Sequence, residues 1–189
     1  IQLARQLSGR LAQNYVMGAN VWADRIEPDG SVNQQLDEDE KFTISGPVGE
    51  YDLAPDYLDY VLTTEGGFRL GASGVYIPAA PMLATLPEDR RIEVHITPLT
   101  TLVTAETALE TIFAQSGDWR ADIASSEGIP GALLKLAKVT EAYWMLLAGG
   151  SKPIIQSTKQ QFSALSILAN KLAQGGETAI SEDLPSLVG

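Results

Sequence analysis

The hydrophobic period of this chain changes once, at Thr97-Pro98. Before this point, short segments alternate apolar and polar residues and end at Gly, Pro or Asp, which is typical of antiparallel strands. After it, apolar residues recur every three or four positions, as on one face of a helix. Thr is a favoured N-cap and Pro a favoured first helical residue, so we expect a helix to begin there. The change predicts an α+β protein, with an antiparallel β-sandwich over residues 1–96 and a small helical bundle with a C-terminal tail over residues 97–189, packed as one unit.

The predicted strands of the first part are short and separated by turn residues. The best of them, over residues 17–24, places Ala19, Val21 and Ala23 on one face. The last, over residues 92–96, leads into the predicted helix without a flexible linker. The full set covers residues 7–12, 17–24, 41–44, 57–64, 75–77 and 92–96. Strands of this length and spacing favour a small antiparallel sandwich.

Three helices are predicted in the second part. Each has an apolar stripe and ends at glycine, and proline stands at or near the start of each one. They cover residues 98–116, 130–149 and 151–175. Three amphipathic helices with short connections favour a bundle.

The chain is strongly acidic, with a formal net charge of −11 and no cysteine. Nucleic acids and anionic membrane surfaces both attract basic patches, so this charge argues against either partner. The lack of cysteine excludes disulfides, thiolate nucleophiles and Cys-ligated metal clusters. No apolar run reaches the roughly 18–20 residues that span a bilayer, so we expect no membrane insertion. Because the chain begins at Ile1 and not at Met, we expect a processed or excised part of a longer protein.

The acidic side chains are concentrated between Asp24 and Asp59, where eleven of them accompany only Arg25 and Lys41. The first half of this window has carboxylate and amide oxygens close in sequence, and Gly30 permits a tight bend. Ca²⁺ prefers about six to eight such oxygens in a flexible arrangement. The loop is therefore a candidate calcium site. Its candidate ligands are Asp24, Glu27, Asp29, Asn33, Asp37 and Asp39, with Ser31 as a further oxygen.

Two other interpretations of the acidic loop are open. The loop can be a solvated segment that keeps the protein in solution, since it lacks the regular EF-hand alternation and has Leu36 near the position where a closing carboxylate is expected. A pair of its carboxylates could instead serve a glycosidase. A run such as residues 37–40 is more typical of an exposed turn than of a catalytic cleft.

His95 is the only histidine of the chain. In its predicted strand it alternates with Val94 and Ile96, so we expect it to face outward beside Glu93. Catalytic triads and histidine metal sites need more than a single imidazole. The sequence contains no Gly-x-Ser-x-Gly elbow, no Walker A motif and no dinucleotide-binding glycine motif. It therefore predicts a protein without catalytic or cofactor-binding residues other than the calcium ligands, and not an enzyme.

Four segments carry a resemblance to a known group of proteins. Residues 16–24 read VMGANVWAD and residues 36–44 read LDEDEKFTI, with an acidic loop between them. Residues 63–67 read TTEGG and residues 96–103 read ITPLTTLV. Together they resemble the prealbumin-like repeats (carboxypeptidase-regulatory-like and Cna-B or SdrD-B-like) of prokaryotic surface proteins, in which a helical region follows the TPLTTLV element. The glycine usual in the hairpin of such repeats is Glu40 here, which makes a positive-φ turn less favourable at that position.

The resemblance implies a prealbumin-like or Ig-like sandwich in a non-catalytic, extracellular module of the cell surface. Such modules mostly act as spacers, adhesion units or subunits of fibres and lattices. We therefore expect the partners to be other copies of the chain or adjacent domains of a longer one. The terminal segments 1–11 and 179–188 contain apolar residues that could pair with a neighbour by strand addition.

A carbohydrate-binding module of a secreted enzyme is the alternative function. Aromatic side chains form flat platforms for sugar rings in such modules, and the first part of the chain is rich in them. We expect Trp22 and Phe42 to lie inside the sandwich, which leaves the others as candidates for a platform. These are Tyr51, Tyr57, Tyr60, Phe68 and Tyr76.

Overall fold

A computed structural model describes residues 6–88, 92–125, 127–149 and 158–181. Within these ranges the protein is α+β, with seven strands in antiparallel sheets followed by four helices. The strands are β1 (Leu7–Arg10), β2 (Met17–Arg25), β3 (Phe42–Ile44), β4 (Glu50–Leu53), β5 (Tyr60–Leu70), β6 (Tyr76–Pro78) and β7 (Met82–Ala84). The helices are α1 (Pro98–Ala105), α2 (Leu109–Ser116), α3 (Gly131–Gly149) and α4 (Thr158–Ser181).

The larger sheet has five strands and is built around the long antiparallel pair β2–β5. Their register runs from Met17 opposite Phe68 to Arg25 opposite Tyr60. On the outer side of β2 lies β3, and the outer side of β5 is shared by β7 and β6. Between these two partners Gly67 has a φ of +77° and approaches the backbone of β2, where a Cβ atom would meet the carbonyl oxygen of Met17 at 2.7 Å. Only glycine fits there, because other residues avoid positive φ and carry the Cβ atom.

The predicted end of the fourth strand is wrong, because β5 continues through two glycines. The sequence predicts that a strand over residues 57–64 ends before Gly66-Gly67, but β5 begins at Tyr60 and continues through both glycines to Leu70. Two further strands, β4 and β7, were not predicted. Both are short, and β7 contains three consecutive buried residues with no alternation.

The smaller sheet pairs β1 with β4, and residues 92–96 lie along the other side of β1. The predicted strand at 92–96 is reduced to two isolated parallel bridges, Ser8 with Glu93 and Leu11 with Ile96. Between these two bridges the carbonyl of Val94 accepts the hydroxyl of Tyr51 at 2.6 Å. The amide of Arg10 donates instead to Nδ1 of His95 at 3.2 Å.

The predicted helix start at Thr97-Pro98 is confirmed. Thr97 is the N-cap of α1, its hydroxyl accepts the amide of Thr100, and the hydroxyl of Thr100 accepts the amide of Thr97. The predicted single helix over 98–116 is wrong, since α1 and α2 are separated at Glu106. That residue is extended (φ −146°, ψ 99°), and its carboxylate accepts the amide of Ala108. Such a local side-chain bond competes with continuation of a helix.

The later helices follow the predictions in part. Helix α3 follows Pro130, whose carbonyl accepts the amide of Leu133, and it extends to Gly149, the last residue described before the gap at 150–157. The predicted start of the next helix falls in residues 151–157, outside the described residues. Helix α4 does not end at Gly175-Gly176 but continues to Ser181. Glycine costs a helix only about 1 kcal/mol relative to alanine, so it weakens the helix without stopping it.

Helix α1 joins the helices to the larger sheet through its threonines. The amide of Leu83 in β7 donates to the hydroxyl of Thr101 at 3.0 Å, and the hydroxyl of Thr100 donates to the carbonyl of Leu83 at 2.8 Å. Just after β7, the amide of Thr85 donates to the hydroxyl of Thr104 at 3.1 Å. The opposite side of the helix contributes buried apolar residues to a cluster that also includes residues of the strands and of α2, α3 and α4. No helix in the described ranges is both long and apolar enough to cross a membrane.

Candidate functional site

The acidic loop, residues 26–41, connects β2 to β3 and folds back over the larger sheet. Ala19, Val21 and Ala23 of β2 belong to the main apolar cluster, and by alternation Trp22 and Asp24 point to the other face. Both of these side chains are nevertheless fully buried. Because the amide of Gln34 in the loop donates to the Asp24 carboxylate, the loop lies across this second face and encloses Asp24.

Asp24, near the end of β2 and enclosed by the loop, has a strongly raised pKa. Its Oδ2 atom accepts the amide of Gln34 at 2.9 Å and the hydroxyl of Thr63 at 3.2 Å. Its Oδ1 atom is buried and has no hydrogen-bond partner among the described residues. Burial, and next the charge of Glu40, raise the pKa of Asp24 to about 7, although the hydrogen bonds from Thr63 and from the loop backbone oppose this rise. The native protein therefore holds a proton on Asp24 that an exposed aspartate would release near pH 4.

Glu40 organises the base of the loop, and nothing in its sequence context identified it as a site residue. Its side chain is buried, with Oε1 accepting the amide of Arg25 at 2.7 Å and Oε2 accepting the amide of Asp37 at 3.0 Å. One carboxylate thus ties the end of β2 to the turn before β3. The residue that departs from the glycine of the resembling repeats is the one that closes this loop.

The remaining predicted ligands make separate local contacts. Asp29 accepts the amide and the hydroxyl of Ser31 at 3.0 and 2.7 Å, and these bonds lower its pKa. The amide group of Asn33 donates to Asp37 at 2.7 Å.

Asp39 forms an ion pair with Arg25 at 3.0 Å, and the side chain of Glu27 is exposed. In the part of the chain that the structure describes, no group of three or more His, Asp or Glu side chains could hold a metal ion. The predicted six-ligand arrangement is therefore not assembled, and a calcium site here remains a prediction.

His95 does not face outward as predicted. Its side chain is only 15% exposed, with Nδ1 accepting the amide of Arg10 and Nε2 lying 3.5 Å from Glu93. Side chains do not alternate regularly here, because residues 92–96 are not a regular strand. The contacts of His95 hold the strand-like segment in place.

The aromatic residues divide into a buried and an exposed group. Tyr51 and Tyr60 are buried, so they are removed from the predicted sugar platform. Tyr57 is partly buried and donates its hydroxyl to the carbonyl of Ala23. Phe68 and Tyr76 are about half exposed, as expected of platform residues. Trp22 is buried as predicted, whereas Phe42, predicted to be inside, is 54% exposed on the edge strand β3.

The described part of the N-terminal segment does not offer the apolar residues that were predicted to pair with a neighbouring molecule. Leu7 and Leu11 are fully buried in the chain's own core, where β1 pairs with β4. These residues are therefore not available for strand addition to a neighbour. Residues 179–181 are the end of α4, and residues 1–5 and 182–189 lie outside the described residues.

No protein-family model, curated protein or solved structure matches this chain.

Proposed function

We propose that this chain is a non-catalytic structural or adhesive module of the cell surface that associates with other copies of itself. In this proposal the two sheets form a prealbumin-like sandwich, and the four helices form a small bundle packed on it as one unit. The extracellular location rests on the resemblance of the GANVWAD and TPLTTLV segments to surface-protein repeats. The self-association rests on an exposed apolar surface of the larger sheet.

The β5–β6 hairpin provides this surface. Phe68 lies opposite Pro78 and Leu70 opposite Tyr76, so these four residues share one face, and all are exposed. Strand β6 is also the end strand of its sheet. Exposed apolar residues grouped on an edge hairpin are typical of interaction surfaces. We call these four residues the hairpin face, and their exposure is the observation that supports the proposed function most strongly.

Charge favours a second copy as the partner of the hairpin face. The protein has a net charge of −11, which makes two copies repel one another over most of their surfaces. Residues 66–87, however, contain no acidic residue and one arginine. The hairpin face is therefore a place where two copies can approach with little electrostatic repulsion.

The test is the mass of the protein in solution as a function of concentration. We expect sedimentation equilibrium to show association of the native chain and a monomer for Phe68→Ser combined with Tyr76→Ser. The matched control, Phe42→Ser combined with Ile44→Ser, removes exposed apolar residues from the edge strand β3 and should associate like the native chain. A native chain that stays monomeric at high concentration would contradict the proposal, and so would equal effects of the two double variants.

We also propose that the acidic loop binds calcium at Asp24. The enclosed Oδ1 atom of Asp24 has no hydrogen-bond partner among the described residues, and burial together with the nearby charge of Glu40 raises the pKa of Asp24, which a bound cation would lower again. A divalent ion bound to the native loop would stabilise the fold by mass action. Calcium should then raise the melting temperature of the native chain and of Asp29→Asn, but not that of Asp24→Asn. Equal melts in calcium and in EDTA would leave the loop as a self-contained structural element.

Carbohydrate binding is the second candidate, because Phe68 and Tyr76 are exposed on the same hairpin. Paired aromatic faces can stack on sugar rings. Affinity electrophoresis in gels containing soluble polysaccharides would detect it as a retardation that the Phe68→Ser and Tyr76→Ser variant loses. A monomeric native chain with such a retardation would favour this function over self-association.

A further inference from the structure

A cavity of about 510 Å³ lies where the β5–β6 hairpin meets α3. Its walls are mostly small or apolar side chains, including Ile77 of β6 and Leu134 and Ala137 of α3. The charged residues among those that line it are Arg69 from β5 and Lys138 and Glu141 from α3. A cavity of this size, apolar with a few converging polar groups, is typical of sites for small molecules.

Arg69 is a buried cation with one N–H donor that has no acceptor among the described residues. Its side chain is 8% exposed, and its one ion pair within the described ranges, with Glu141, is long at 3.5 Å between Nη1 and Oε2. Its Nε atom is buried without a hydrogen-bond partner in the described part of the chain. A guanidinium group has five N–H donors, and burying them without acceptors costs free energy. This arrangement is expected of a group that has a further, anionic partner.

The local charge supports an anion. Arg69 and Lys138 give two positive charges against the single carboxylate of Glu141, so the lining has a net positive charge in a protein of net charge −11. Burial raises the pKa of Glu141, against the lowering effects of the two cations Arg69 and Lys138. A monoanion would balance the lining charge.

We propose that this cavity binds a small monocarboxylate with an apolar body. The carboxylate is held by the guanidinium of Arg69 and the ammonium of Lys138, and the apolar body lies against Ile77, Leu134 and Ala137. Guanidinium groups pair with carboxylates through parallel hydrogen bonds, which explains an arginine at the buried position. The site is formed by both the sheet and α3, and it is separate from the hairpin face and from the acidic loop.

The probe for this site is hexanoate, with hexanamide as its uncharged analogue of the same shape. In two-dimensional amide NMR spectra of the intact chain, hexanoate should shift the resonances of cavity residues such as Gly71, Ala72 and Ala142 in a saturable manner. We expect a Kd on the order of 1 mM for so small a ligand. Hexanamide should bind much more weakly, because it leaves the two cations without a counter-charge.

Lys138→Gln tests the assignment on an exposed residue that should not affect folding. Loss of the Lys138 ammonium should weaken hexanoate binding by up to about fivefold, which is the effect of one exposed ion pair. The matched control is Lys135→Gln, one turn earlier on α3 and outside the cavity lining, and it should bind like the native chain. Arg69→Gln combined with Glu141→Gln removes the buried pair without leaving a lone charge and should abolish binding. No saturable shifts, equal binding of hexanamide, or equal binding by the Lys138 and Lys135 variants would overturn the proposal.

Discussion

Asp24 illustrates at the scale of one residue how burial changes an ordinary acidic side chain. Its pKa is raised from the model-peptide value of 3.8 to about 7. The native state therefore binds this proton more tightly than the unfolded chain does. The stability contributed by neutral Asp24 is fully present below about pH 4, is lost as the pH rises towards 7, and does not fall further above that value.

Replacing Asp24 with Asn should remove this pH dependence, because an amide has no proton to lose. Near pH 8 we expect Asp24→Asn to be more stable than the native chain by on the order of 2 kcal/mol, and near pH 4 we expect the two to be similar. Urea unfolding across this pH range measures the difference. Asp29→Asn, which changes an exposed carboxylate of the same loop, should show no comparable gain near pH 8. A pH-independent difference between native chain and Asp24→Asn would contradict the assignment.

The sequence identified Asp24 as a candidate site residue by its type and neighbours, but it could not indicate its burial. The enclosure depends on the loop folding back over the sheet, and one of the hydrogen bonds to Asp24 comes from Thr63, 39 positions away, which the β2–β5 register brings near. The sequence marks Glu40 only as a residue in place of a usual glycine, within a run that is typical of an exposed turn. Its two hydrogen bonds to backbone amides arise only after the loop has closed.

At the scale of elements, the threonines of α1 explain why a threonine-rich helix stands beside a short strand. Strand β7 pairs with β5 on one side only. On its other side, the hydroxyl groups of Thr100 and Thr101 bind the backbone of Leu83. Helix α1 thereby provides hydrogen-bond partners for backbone groups at the edge of β7, which would otherwise be unpaired. The TPLTTLV segment therefore provides the N-cap and the first residues of α1, together with the hydroxyl groups that bind the edge of β7.

Thr101→Val should destabilise the protein while keeping the shape of the side chain. The amide of Leu83 would remain buried without its acceptor, at a cost of about 1–3 kcal/mol. Thr107→Val, at an exposed position just after α1, is the matched control and should change stability by less than about 0.5 kcal/mol. Equilibrium urea unfolding at constant pH gives both values. Equal values for the two variants would show that the Thr101 bond does not stabilise the native state.

The start of α1 could be predicted, whereas β7 and the break after α1 could not. The start is a local signal, since the cap and the proline are adjacent in sequence. Strand β7 has only three residues and no alternation, and it exists because β5 and α1 enclose it. At the break, the Glu106 carboxylate accepts the amide of Ala108, two residues later. The apolar periodicity of the surrounding sequence continues across this point, so it predicts one uninterrupted helix.

For the whole molecule, the buried apolar residues of strands and helices form one continuous cluster. Leu83 of β7, Leu99 of α1, Leu133 of α3 and Leu165 of α4 all belong to it. A cluster shared in this way means that unfolding the helices exposes the inner face of the sheet. We expect the described sheets and helices to unfold as one cooperative unit.

A variant with Trp22 as its only tryptophan tests this cooperativity. Trp119→Phe combined with Trp144→Phe leaves a fluorescence probe within β2, while far-ultraviolet circular dichroism reports mainly on the helices. The two urea transitions of this variant should coincide, because loss of either part removes packing from the other. A helical transition that clearly precedes the Trp22 transition would show two units that unfold separately.

The neighbours of β1 have a consequence for how the molecule responds to tension. Residues 92–96 run parallel to β1 and are joined to it by backbone bonds from Ser8 to Ile92 and from Ile96 to Arg10, among others. A pull that enters before Leu7 and leaves through Thr97 acts on two parallel segments in opposite directions along their length. The connecting bonds are then strained together in shear and must break together, unlike the bonds of a hairpin that opens one at a time. We therefore expect this junction to resist a pull applied between Leu7 and Thr97 more strongly than a hairpin joined by the same number of bonds.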